Sequence, residues 1–287
     1  MMTTLTFHKM HGLGNDFVVI DATQTPFSLD SATIAKLGNR KTGIGFDQLL
    51  VVEPPSTPSV DFNYRIFNCD GSEVEHCGNG ARCFAKFVID QRLTDKHTLC
   101  VNIKKGPLYI TYRNDDDIEV DMGKPILAPR DIPFNIDASA QNPAASYDII
   151  IDGAPLPVSV LSMGNPHVVL FISNLWQQSI ETLAKHIQQS DYFPESVNVN
   201  FIEILDKHTA TQRTYERGAG ETDACGTGVC AAVYAAQAVN AIDAINAPVC
   251  VKVRGGEIRI RIDQAGHIWM AGPARTVYHG TINLRHD

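Results

Sequence analysis

What this sequence has too little of narrows the field first. Nowhere do its 287 residues run to the about 18 consecutive apolar residues that suggest a membrane span. The most apolar stretch, Val229 to Val239, is short and interrupted by Gln237. Basic residues are scarce as well: 24 Lys and Arg stand against 32 Asp and Glu, a net charge of -8. No surplus of cations is left for a phosphate backbone or an anionic lipid surface, so no nucleic acid and no membrane is expected as partner. Paired C-x2-C knuckles and an H-E-x-x-H are missing, which argues against a metal site. Gly12-Leu13-Gly14 and Gly43-Ile44-Gly45 do not continue into G-x-G-x-x-G, and there is no Walker A, which argues against a nucleotide. The start, MMTTLTFHKMHGLGNDF, has no charged segment followed by an apolar one, so the expected location is cytoplasmic. Seven cysteines, an odd number, are expected as free thiols rather than a disulfide framework.

What is present describes an ordinary globular chain, 44% apolar and 20% charged. At roughly 100 to 200 residues per domain, its length suggests two domains. Short runs rich in Val, Ile, Phe and Tyr read as strands: 17–21, 48–53, 62–67, 99–104, 108–113 and 118–122. Lys105-Gly106-Pro107, Asn114 to Asp117 and Gly255-Gly256 read as hairpin turns, which implies antiparallel sheet. Helical periodicity is clearest over 81–90, with Phe84, Phe87 and Val88 on one face, and over 229–242, apolar nearly all round and so expected to be buried. Residues 124–148, rich in proline and small side chains, read as a connection between domains, whereas Pro54 to Ser59 reads as a surface loop.

An internal repeat emerges across that connection. Gly14-Asn15-Asp16-Phe17-Val18-Val19 resembles Gly164-Asn165-Pro166-His167-Val168-Val169, 150 residues later, and Gln48 to Glu53 matches Asn198 to Glu203 at the same offset. Asn68 precedes Cys77 by nine residues, as Glu216 precedes Cys225; Glu73 and Glu221 each lie four before their cysteine. Matches in the same order at nearly constant offset suggest a duplicated domain. Each copy presents one cysteine, followed by glycines and then a helix: Cys77-Gly78-Asn79-Gly80 and Cys225-Gly226-Thr227-Gly228.

Glycines at a helix start let an anion approach free backbone N–H groups, and the helix dipole favours it there. The same positive end is expected to lower the pKa of an adjacent thiol. Two such units sharing one ligand have the parts needed to invert a stereocentre. One thiolate removes an α-proton from one face, and one thiol returns a proton to the other. Donors on the carboxylate stabilise the charge that develops meanwhile.

At this point HGLGNDF, FNCDGSEVEHCGNGAR, SMGNPH, YERGAGETDACGTG and the closing VYHG resemble the diaminopimelate epimerase family, in the same order and over essentially the whole chain. The resemblance implies an α+β fold of two pseudo-symmetric domains, each a mainly antiparallel sheet wrapped around a central helix. The domains would be 1–125, completed by a closing strand over 274–287, and 126–273. It also implies an isomerase that needs no cofactor, neither pyridoxal phosphate nor metal, and interconverts LL- and meso-diaminopimelate for lysine and peptidoglycan precursors. Cys77 and Cys225 match the catalytic pair, and His167 and Glu216 match positions that tune their pKa values. Gly78, Asn79, Gly226 and Thr227 would hold the reacting carboxylate. Asn15, Gln48, Asn68, Asn165, Asn198, Glu216 and Arg217 match substrate positions, with Arg217 suited to the distal carboxylate because a guanidinium can bind it through two bonds. A homodimer is implied too, with Tyr278 near the contact.

Plainer readings stand beside these. Cys69, Cys83, Cys100, Cys230 and Cys250 read as small buried hydrophobes. Without the repeat, Asn15 and Asn165 would be turn residues, Gln48 and Asn198 strand-edge polar residues, His167 a half-buried histidine, and Glu216-Arg217 a surface pair. The competing functions are a proline or hydroxyproline racemase of the same fold, a thiol switch with a Cys77–Cys225 bond, and a non-catalytic carboxylate binder.

Overall fold

The computed structural model describes residues 2–74, 77–136 and 146–285. The chain divides into two compact units, Met1–Val120 with Ala271–Asp287, and Asp121–Met270. Both are α+β and mainly sheet.

The first unit contains β1 (Met2–Gly12), β2 (Asn15–Asp21), α1 (Ser31–Gly38), β3 (Gln48–Glu53), β4 (Phe62–Asn68), β5 (Glu73–Val74), α2 (Gly78–Asp90), β6 (Thr98–Ile103), β7 (Gly106–Asn114) and β8 (Asp117–Asp121). β1 and β2 pair antiparallel, β2 and β3 parallel, β3 and β4 antiparallel, β4 and β6 parallel, β6 and β7 antiparallel. The second unit contains β9 (Ser146–Ile151), β10 (Ala154–Ser162), β11 (Pro166–Phe171), α3 (Glu181–Gln188), β12 (Asn198–Ile204), β13 (Thr209–Glu216), β14 (Gly220–Thr222), α4 (Gly226–Ala238), β15 (Val249–Val253), β16 (Gly256–Ile262) and β17 (Ile268–Gly272). From β10 to β16 its pairings run antiparallel, parallel, antiparallel, parallel, antiparallel, the same succession. The closing strand β18 (Arg275–Arg285) lies in the first unit, antiparallel to β1.

Parallel pairs need crossover connections, and the helices supply them. In the first unit α1 joins β2 to β3 and α2 lies between β4 and β6; in the second, α3 and α4 take the same places. The register repeats as well: Phe17 pairs with Gln48, and His167 with Asn198, each residue 150 positions after its counterpart.

Helices on both faces explain the unbroken apolar runs in the central strands, where alternation alone would leave one face polar. Phe17 to Ile20 and Leu49 to Val52 are all buried. Val18, Ile20, Leu49 and Val51 pack with Ile34 and Leu37 of α1, while Phe17 and Leu50 on the opposite face press against Gly80 of α2. In the second unit Val168, Leu170, Val199 and Phe201 pack with Ala184 and Ile187 of α3. The alternate residues of those strands therefore face α4, and they include His167, Asn198 and Asn200.

Several elements differ from the expectations above. α1 and α3 are eight-residue helices, too short for a period to show, and β1 mixes polar and apolar residues. α1 is set by Asp30, whose carboxylate accepts the Thr33 N–H at 2.7 Å. α2 and α4 start three residues before their apolar periods, because glycine carries no hydrophobic signal. α4 stops at Ala238, short of Ile242, with Asn240 at a φ of 56°. The turn between β15 and β16 is Arg254-Gly255, since Gly256 already pairs with Val253. Of the connecting segment 124–148, residues 137–145 lie outside the described residues. Ile126 bridges to Ser162, and Ile132 and Phe134 join the second unit's core. Among the described residues, no helix is long and apolar enough to cross a membrane.

Candidate active site

Each 13-residue central helix opens on a cysteine. Cys77 is the N-cap of α2, in extended backbone, and its sulfur accepts the Gly80 N–H at 3.4 Å. Cys225 holds the same position before α4, with its sulfur 3.5 Å from the Thr227 hydroxyl. The N–H groups of Ala81 and Val229 already bond the carbonyls of Cys77 and Cys225, each at 2.9 Å. The first-turn donors ahead of them belong to Gly78 and Asn79 in one helix and to Gly226 and Thr227 in the other. Such donors, at the positive end of the dipole, suit a carboxylate.

The third helical position admits only glycine. A Cβ on Gly80 would lie 2.5 Å from the Tyr64 hydroxyl, and one on Gly228 would lie 2.3 Å from Oδ1 of Asn200. Both helix starts are thus pressed against a polar side chain of a central strand.

Electrostatics in the second unit is set by burial. Burial pushes the Cys225 thiol well above its usual pKa, and the Glu216 carboxylate beside it pushes the same way; the Thr227 hydroxyl and the Gly228 N–H pull less strongly in the opposite direction. Helix position alone led to the opposite expectation, which burial overrides. His167 is fully buried, and burial, helped by the positive charge of Arg217, lowers its pKa to about 3. Its ring is therefore neutral at neutral pH. It acts through hydrogen bonds: Nε2 lies 3.0 Å from Oδ1 of Asn165 and Nδ1 lies 3.1 Å from Nδ2 of Asn200.

In the first unit, Oδ1 of Asn15 lies 4.0 Å from the Cys77 sulfur, and Nε2 of Gln48 donates to Oδ1 of Asn68 at 3.1 Å. In the second, Oδ1 of Asn198 accepts the Arg217 N–H at 3.0 Å, and the Thr222 hydroxyl donates to Glu216 at 2.6 Å. The exposed Arg217 guanidinium donates to the Glu195 carbonyl at 3.2 Å. The Asn79 side chain accepts from Arg82 at 2.9 Å, leaving its backbone N–H for a ligand. Tyr278 is half exposed and edge-on to Phe7, joined to neither cysteine set. Among the described residues no three His, Cys, Asp or Glu side chains gather as metal ligands would.

The family model for diaminopimelate epimerase matches residues 7–128 and 159–277. The chain belongs to the diaminopimelate epimerase family. It is 48% identical over 281 residues to the diaminopimelate epimerase of Pseudomonas fluorescens strain Pf0-1, covering 98% of this chain and 99% of that one. The enzyme of that name from Azotobacter vinelandii is also 48% identical, over 283 residues, with the same coverage. More distant structures share the fold. A methylitaconate-delta-isomerase matches with a TM-score of 0.69 at 13% identity, over 99% of this chain and 96% of the other. A hydroxyproline epimerase from Agrobacterium vitis matches with a TM-score of 0.66 at 12% identity, over 98% and 93%.

Three residues packed against the candidate residues of the two units escaped the sequence reading: Asp47 and Tyr64 in the first, and Asn200 in the second. Asp47 accepts from Nδ2 of Asn15 at 2.7 Å, Asn200 bonds His167, and the Tyr64 hydroxyl abuts Gly80. Asn200 did leave a signal, a polar residue two positions after Asn198 and hence on the same strand face.

Proposed function

We propose that the protein is a diaminopimelate epimerase that interconverts the LL and meso forms with two thiols and serves lysine and peptidoglycan-precursor synthesis. The observation that carries this reading is the repeated cysteine cap, one on the glycine-led helix of each unit. Near-half identity over almost the full length of curated diaminopimelate epimerases supports the choice of substrate.

Inverting a centre without passing through the same face needs one base and one acid. Cys225, held protonated by burial and Glu216, is the acid in one direction, which leaves Cys77 as the base. The Cα–H proton passes to the Cys77 sulfur and its electron pair moves into the substrate carboxylate. There the N–H groups of Gly78, Asn79, Gly226 and Thr227 stabilise the charge. The Cys225 S–H proton then adds to the other face, and the thiols have exchanged states; the reverse reaction restores them. Asn15, Gln48, Asn68, Asn165, Asn198, Glu216 and Arg217 hold the rest of the substrate. Glu216 also tunes Cys225, while His167 acts on Asn165. We place the enzyme in the cytoplasm, whose reducing conditions suit seven free thiols, and as a homodimer with Tyr278 at the contact.

The deciding experiment follows LL-diaminopimelate in D2O with wild type, Cys77→Ser and Cys225→Ser. Wild type is expected to invert the α-carbon and incorporate deuterium there, and both variants to lose inversion. Retained inversion in either variant would remove the two-thiol mechanism.

A further inference from the structure

Four carboxamides at repeat-related positions are pinned by groups that can only accept or only donate, and the two units pin them in opposite senses. In the first unit, the Asp47 carboxylate oxygen that accepts from Asn15 also accepts the Asp16 N–H at 3.1 Å. Arg40 bonds the other oxygen of Asp47 at 2.8 Å and holds the carboxylate in place. Asn15 must therefore give Asp47 its amide nitrogen, which turns its carbonyl oxygen toward Cys77. Gln48 is pinned through a relay. The Ser72 hydroxyl donates to Asp70 at 2.6 Å and accepts from Nδ2 of Asn68 at 3.1 Å, so Oδ1 of Asn68 accepts from Nε2 of Gln48. That leaves Oε1 of Gln48 as a buried acceptor with no partner among the described residues.

The second unit reverses the sense. Nδ2 of Asn200 donates to the Val168 carbonyl at 3.0 Å, which fixes the flip of that amide, while its Oδ1 accepts from Gln212 and the Thr214 hydroxyl at 3.2 and 3.1 Å. The other hydrogen on Nδ2 reaches Nδ1 of His167, which must accept; the neutral ring then carries its proton on Nε2 and donates it to Oδ1 of Asn165. Asn165 turns its amide nitrogen outward. Asn198 does the same, because its oxygen is taken by the Arg217 N–H.

We propose that Asp47 and Asn200 are positioning residues that give the matched pairs opposite hydrogen-bond polarity. Asn15 and Gln48 then present oxygens that select a substrate ammonium, and Asn165 and Asn198 present N–H groups that select a carboxylate. The ligand assignment rests on the epimerase reading, whereas the pinning of the amides does not. Residues 150 apart thus do opposite work, so the duplication supplies two kinds of contact to a substrate that carries both charges. Lone asparagines could flip to suit either charge; pinned ones cannot, and they discriminate against a ligand of the wrong sign.

The test is Asn200→Asp, which keeps the shape but replaces the donor to His167 with an acceptor. Nitrogen-15 NMR of the imidazole reports the tautomer with no need of activity. Wild type is expected as the Nε2–H form and Asn200→Asp with a proton on Nδ1, together with a rise in KM for diaminopimelate of about tenfold or more and a smaller change in kcat. An unchanged tautomer would overturn the relay. Should that variant fail to fold, Asn165→Asp against Asn165→Ala decides: an outward carboxylate repels the substrate carboxylate, so the Asp variant is expected to have the higher KM, and a lower one overturns the assignment. On the other unit, Asp47→Ala removes the acceptor that pins Asn15 and is expected to raise KM for diaminopimelate about tenfold or more with a smaller change in kcat; an unchanged KM would overturn the role of Asp47. A wild type that shows the Nε2–H tautomer but epimerises nothing would refute the proposed function and leave the pinning intact.

Discussion

The two cysteines share a sequence context and a helical position, and for Cys225 that position does not set the charge state. Cys225 is buried beside Glu216, and both effects favour the neutral thiol, against the pull of the helix N-terminus. A helix dipole contributes about 0.3 to 1 kcal/mol at an exposed site, whereas burial of a charged group costs several times that. The thiolate is the form that alkylates, so modification of Cys225 by iodoacetamide is expected only at strongly alkaline pH. Glu216→Gln removes the negative neighbour and is expected to shift that onset to lower pH, read by mass spectrometry of the Cys225 peptide. An onset unmoved by the substitution would leave burial as the whole cause. His167 gives the complementary lesson: held neutral, it works as a fixed donor and not as a charge.

Among the elements, the two helix starts matter most. At Gly80 and Gly228, α2 and α4 approach their sheets so closely that a methyl group would overlap Tyr64 or Asn200. Gly80→Ala and Gly228→Ala are each expected to destabilise by about 1 to 3 kcal/mol in urea unfolding, the usual range for overpacking. Tyr64→Phe removes the hydroxyl that the new methyl would meet, so it is expected to recover part of the loss in Gly80→Ala; a strictly additive double variant would show that the strain lies elsewhere. Much at this scale was legible in the sequence. Continuous apolar runs such as FVVI and LLVV mark central strands, and glycines after a cysteine mark the helix starts. α1 and α3 were not legible, since two turns are too few for a period. The roles of Asp47 and Asn200 were not legible either, because a side chain that bonds another side chain across strands leaves no local pattern.

For the whole molecule, the repeat organises both units. The succession of strand senses, the helix positions and the register of β2 on β3 and β11 on β12 all recur. On β18 a bulge opposite Lys9 and Met10 leaves Val277 and Tyr278 exposed at 58% and 46%. Two adjacent large apolar side chains on a long strand suit a self-association surface. If the protein is the homodimer proposed above, Tyr278→Glu is expected to shift sedimentation from dimer to monomer at micromolar concentration while thermal unfolding still shows a folded chain. A wild type that sediments as a monomer would refute the homodimer, and a variant that stays dimeric would place the contact elsewhere.

The sequence by itself determined the duplication, the pair of cysteines before glycine-led helices, and the family, because each is written in residues close together along the chain and repeated at a constant offset. The tertiary structure alone decided which way Asn15, Gln48, Asn165 and Asn198 turn their amides, that His167 is neutral, and that Cys225 is held as a thiol. Those are properties of burial and of hydrogen-bond partners brought in from other strands. An amide or a ring has no preferred sense until a neighbour that can only give or only accept imposes one.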